Sequence, residues 1–114
     1  MEGLWTAEFG TASGMLNGGV VVLESGRILG GDSGYYYTGK YSISGDTLSG
    51  DLRATHYYGP GVTAFGDSAS MFTIELTGKI NSAGDHIDGL MVRSGVGQVR
   101  FRLSKRATLR ELEH

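Results

Sequence analysis

Apolar and polar residues alternate with a period of two through most of the chain, and a period of two marks a strand with one face buried. The clearest case runs from Ile28 to Ile43, ILGGDSGYYYTGKYSI. Tyr35, Tyr37, Tyr41 and Ile43 fall on one face, with Gly39 between them, and Tyr36, Thr38, Lys40, Ser42 and Ser44 fall on the other. The first set faces a core and the second faces water. Gly30-Gly31-Asp32-Ser33-Gly34 supplies residues that accept positive φ or hydrogen-bond their own backbone, so the chain reverses before Tyr35. The stretch predicts a hairpin whose inner wall carries tyrosines.

The same reading extends along the chain. Leu4 to Gly10 predicts a first strand with Trp5, Ala7 and Phe9 inward; Thr11 to Asn17, small and polar apart from Met15 and Leu16, predicts a loop or a helical turn. Gly18 to Glu24 (GGVVVLE) is a nearly continuous apolar, β-branched run too short for a helix, hence a strand. Ser25-Gly26 turns it into Arg27 to Gly31, and Gly45-Asp46 turns Tyr35 to Ser44 into Thr47 to Tyr57. In that fifth strand Leu48, Leu52, Ala54 and His56 face inward, opposite Thr47, Ser49, Asp51, Arg53 and Thr55. Tyr58 to Ala69, with the one proline, has no strand character and reads as a lid or partner-facing loop. Ser70 to Ile80, His86 to Arg93 and Gln98 to Arg106 complete the series. Their inward residues are Phe72, Ile74, Leu76 and Ile80, then Ile87 and Met91, then Val99, Phe101 and Leu103, with Arg100, Arg102 and Ser104 outward.

About eight strands joined by short turns must bury one face and remove their edges, and closure does both. The expected fold is all-β, an eight-stranded antiparallel up-and-down β-barrel. A two-sheet sandwich needs long crossings that these turns do not offer. The opening Gly3-Leu4-Trp5 resembles the Gly-x-Trp start of lipocalin-like barrels, in which the indole closes one end beneath a basic side chain of the last strand; Arg100, Arg102, Lys105 and Arg106 are the candidates for that group.

Composition narrows the class. The 114 residues make one domain, taken as 1–111, with Leu112-Glu113-His114 read as the start of a vector-encoded histidine tag. The 20 glycines are dispersed between apolar runs, as turns between strands require, and the absence of cysteine removes disulfide and thiolate chemistry. A net charge of −2 argues against general affinity for nucleic acid or anionic lipid. No secretory leader is recognisable and no apolar run approaches the roughly 18 residues that span a bilayer, so the expected location is cytoplasmic, with no membrane partner.

Candidate chemistry is sparse. His56, on a core face, suits either a base or a histidine hydrogen-bonded to a tyrosine or a carbonyl; His86, beside Asp85 and Asp88, reads as solvated. No metal-ligand spacing and no phosphate loop followed by a helix is present, so no cofactor and no catalytic residue is assigned. Tyr35, Tyr37, Tyr41, His56 and Phe72 either line a pocket for a small hydrophobic ligand or, with Trp5, Phe9 and Phe101, simply fill the barrel. Asp46 in the Gly45-Asp46 turn, and Tyr58, Val62 and Phe65 in the long loop, are the candidate partner-binding residues, Phe65 being equally suited to capping the barrel end.

Gly3-Leu4-Trp5, the Gly19 to Leu23 strand, Gly30-Gly31-Asp32, Tyr37-x-Gly39-x-Tyr41, His56-Tyr57 and the final strand of alternating basic and apolar residues together resemble the GrlR family of type III secretion negative regulators. The resemblance implies a lipocalin-like barrel, a homodimer, and repression through contact with a transcriptional activator rather than with DNA. Where that family carries an acidic run for activator contact, Ser44-Gly45-Asp46-Thr47 keeps only Asp46. A lipocalin-like carrier or sensor of a small hydrophobic ligand is the alternative.

Overall fold

The computed structural model describes residues 1–11, 14–61, 63, 65 and 67–109, with Thr11 and residues 15–17 through their backbone alone. Eight strands follow one another around a closed antiparallel barrel: β1 (Gly3–Thr11), β2 (Gly14–Glu24), β3 (Arg27–Gly31), β4 (Tyr35–Ser44), β5 (Thr47–His56), β6 (Met71–Ile80), β7 (His86–Arg93) and β8 (Gly97–Ala107). Each pairs with the next in the chain, and β8 returns to β1. This is the lipocalin-like, up-and-down arrangement that the alternation predicts.

Local chemistry sets the reversals. Ser25 and Gly26 both take positive φ, 51° and 77°, the type I′ geometry whose twist matches the flanking strands. At the β4–β5 hairpin of the same barrel end Gly45 alone does so, at 62°. Gly39 answers a different need, since a Cβ there would lie 2.1 Å from the Asp51 carbonyl oxygen of the neighbouring strand.

Inward side chains meet along the axis. Trp5, Leu23, Leu48 and Ile87 are almost fully buried, with Tyr37, Leu52, Ile74, Met91, Phe101 and Leu103 packed among them. Trp5 closes the lower end: its Nε1 donates to the Met1 carbonyl at 3.1 Å, and the Lys105 ammonium lies 5.9 Å from its ring centroid. Lys105 is thus the basic group of the last strand. Arg102 instead pairs with Asp88 on the outer wall, and Arg106 donates to the Thr6 hydroxyl.

Several expectations are corrected. Most of Thr11 to Asn17 is strand, because β2 begins at Gly14 and pairs with β1 up to Thr11. A register shift, with Ala7 opposite Gly19 but Glu8 opposite Asn17, leaves Gly18 as the extra residue of a bulge, beneath the Phe9 ring. The pairing of a long hairpin overrides the weak local pattern there. Ile43 has inward parity but sits at a strand end and is 40% exposed. Ser104 has outward parity yet is buried, because the half-buried His86 lies across it with Nδ1 at 3.2 Å from its Oγ; His86 is therefore packed rather than solvated. Thr55 is half-buried rather than exposed. The tag reading falls on residues outside those described.

Candidate functional site

Up-and-down topology brings the β3–β4 turn, the long β5–β6 connection and the β7–β8 turn to one end of the barrel, the upper mouth. Asp32 organises the first of these. Its Oδ1 accepts the backbone N–H of Gly34 and Tyr35 at 2.9 and 2.7 Å, its other carboxylate oxygen accepts the Tyr37 hydroxyl, and its carbonyl accepts the Tyr57 hydroxyl at 2.8 Å. Burial, and then the hydrogen bond to Asp32, raise the Tyr37 phenol far above its ordinary range. Tyr37 is a neutral donor that ties the turn to the core.

The strap between β5 and β6 lies across the same mouth. Tyr35 donates to the Ala69 carbonyl at 2.6 Å, and burial and then the nearby Asp67 raise its pKa. His56 places Nε2 2.7 Å from the Gly59 carbonyl, an arrangement that makes it a donor and selects the structural role foreseen for it. Thr63, buried, donates to Asp67 at 2.6 Å and accepts the Phe65 N–H at 3.1 Å. Arg93, its side chain only 13% exposed, bonds Asp67 at 2.8 Å and lies over the Phe72 ring at 4.5 Å and the Phe65 ring at 5.7 Å. Phe65 meets Phe72 edge-on at 6.0 Å. The Arg93 hydrogen bond, and next that of Thr63, hold the Asp67 carboxyl down at about 2.

The five residues proposed to line a ligand pocket therefore separate. Tyr35, His56 and Phe72 meet beneath the strap; Tyr41 lies lower, with its backbone N–H bonded to Gly26. Tyr37 alone lines the interior cavity, which is wholly apolar, walled by residues such as Phe9, Leu52, Met91 and Phe101, and measures about 40 Å³. Ligand pockets run from about 300 Å³ upward. Among the described residues the inward aromatics pack against one another around that small cavity.

The partner-binding candidates separate too. Asp46 is at the lower end, paired with Lys79 at 3.0 Å, which lowers its pKa. Tyr58 stands on the mouth rim, 72% exposed. Phe65 folds back, half-buried, against Phe72 and Arg93, the geometry of a cap, and Val62 lies outside the described residues.

What the alternation did not single out is on the outer wall. Two rows of the register, Thr6–Val20–Gly31–Tyr36–Thr55–Met71 and Leu4–Val22–Leu29–Thr38, run side by side across β1 to β4 and on to β6. Val20, Leu29, Tyr36 and Met71 are exposed there, and Tyr57 extends the strip at 6.3 Å from Tyr36. Outward positions elsewhere carry the charged Lys40, Asp51, Arg53, Glu75, Lys79, Asp88, Arg100 and Arg102 among serines and threonines, with Leu90 and Val92 exposed on β7. The unbroken run GGVVVLE carried the signal, since a strand apolar at every position is apolar on both faces.

Among the described residues no group of three or more His, Cys, Asp or Glu is placed to hold a metal ion, and no helix is long and apolar enough to cross a membrane. No protein-family model matches the chain, and no curated protein matches it significantly.

Proposed function

We propose that this protein is a non-enzymatic, cytoplasmic regulatory binding protein that acts by protein–protein contact, as a homodimer that engages a transcriptional activator in the manner the GrlR resemblance implies. One observation carries the reading: the apolar strip Val20, Leu29, Tyr36, Tyr57 and Met71 on the outside of the barrel. Contiguous exposed apolar surface with aromatic side chains is the usual substrate of a protein interface. The charged side chains spread over the outer wall of β4 to β8, such as Lys40, Asp51, Arg53, Glu75, Asp88, Arg100 and Arg102, suit water rather than the apolar band of a membrane-spanning barrel. The small size, about 40 Å³, of the apolar cavity among the described residues weighs against the carrier alternative.

The test is native mass spectrometry of the protein purified from its own host, with Leu29→Glu and Tyr36→Glu variants beside it. The expected result is a homodimer or a stoichiometric protein complex that both variants lose while their circular dichroism is unchanged. A monomer that carries a small molecule would overturn the reading.

A further inference from the structure

The β6–β7 ladder stops short of the top of β6. Its register runs from Glu75 opposite Val92 to Ile80 opposite Ile87, whereas β6 begins at Met71. Bonds on the other side of β6 show which groups this leaves open. The His56 N–H donates to the Ser70 carbonyl at 2.8 Å and the Ile80 N–H to the Asp46 carbonyl at 2.7 Å, so even-numbered residues of β6 direct their main-chain groups toward β5. Odd-numbered residues then direct theirs toward β7. Met71 and Thr73 each turn an N–H and a C=O into a seam where, among the described residues, no backbone group meets them.

The surroundings of the seam are built for more than water. Arg93, held by Asp67 and stacked on Phe72, fills its inner side. On its outer side Thr38, Arg53, Thr73, Glu75, Val92 and Ser94 line an open groove of about 710 Å³. Lys40 and Asp51 also line it, and with Arg53 and Glu75 they make no ion pair among the described residues, which leaves two charges of each sign facing the groove.

We propose that an extended peptide segment of a protein partner adds as a strand to β6 at Met71 to Thr73, within the seam. The inference rests on the protein-contact reading above and names a chemistry for it. Donor and acceptor pairs two residues apart on one strand edge are matched by the backbone of another strand, and this is the basis of recognition by strand addition. A segment with outward glutamate and lysine also answers the charges of both signs that line the groove.

The probe is a short capped peptide in which valine alternates with glutamate and lysine, followed by amide exchange and chemical shifts in the full chain. In the free protein the Met71 and Thr73 amides should exchange at least about tenfold faster than those of Phe72 and Ile74, which are bonded to β5. At millimolar peptide both should slow and shift. Thr73→Pro removes a donor that faces the seam, at an edge where proline is tolerated; it should abolish the effect, and Thr73→Ala should keep it. A peptide N-methylated at alternate amides tests the same point without any variant and should not bind. Absence of any shift at Met71 and Thr73, or equal binding of the N-methylated peptide, would overturn strand addition. Partner association that survives Thr73→Pro but is lost in Tyr36→Glu would overturn it too, and would leave the protein-contact reading standing.

Discussion

Leu52 and Ile74 are neighbours on adjacent strands, both under 10% exposed and both part of the packed core. Truncation of either to alanine should cost about 2–5 kcal/mol in denaturant unfolding. Ser49→Ala on the exposed side of β5 should move stability by under about 0.5 kcal/mol. Equal effects from the two classes would refute the assignment of faces. Asp67 carries a second consequence at this scale. Its folded pKa, about 2, lies below the ordinary value of 3.8, so its contribution is complete above about pH 4 and is lost as the pH falls through 2. An acid titration should show the strap loosening in that window, read from the Phe65 and Phe72 ring resonances, and Asp67→Asn should remove the transition.

At the scale of elements, the strap 57–70 is the one long connection, and its described residues are tied down rather than loose. Tyr35, His56, Thr63 and Arg93 each hold part of it, and Phe65 wedges against Phe72. Phe65→Ala should therefore lower the melting temperature and leave sedimentation unchanged, the behaviour of a plug. A change in association without loss of stability would move Phe65 to an interface. The β1–β2 hairpin shows the opposite balance. Its tip has little hydrophobic pattern, yet continuous pairing with β1 makes strand of a stretch that reads locally as loop.

Taken whole, the molecule packs its inward aromatics together, and the apolar cavity they border among the described residues measures about 40 Å³. An eight-stranded barrel is only just wide enough for its own side chains, and here Phe9, Tyr37, Met91 and Phe101 occupy that width. A fluorescent fatty acid titrated into the protein should show no saturable binding and no quenching of Trp5. Stoichiometric quenching would return the carrier reading to favour.

Strand order, facing and closure were legible in the sequence because a period of two recurs in most of the strands, and the β2–β3, β4–β5, β6–β7 and β7–β8 turns each carry a glycine at positive φ. Tyr35, Tyr37, Leu52, Ile74 and Phe101 are buried for that reason alone. Only the tertiary structure decided which of two compatible roles each remaining group takes. Lys105 rather than three arginines covers Trp5, Phe65 caps the mouth, and His86 shields Ser104. Each of these depends on residues far apart in the chain, and a local pattern carries no information about the partner across the barrel. The apolar outer strip and the open edge of β6 belong to the same class: strip and edge alike follow from the register of neighbouring strands, which closure of the barrel sets.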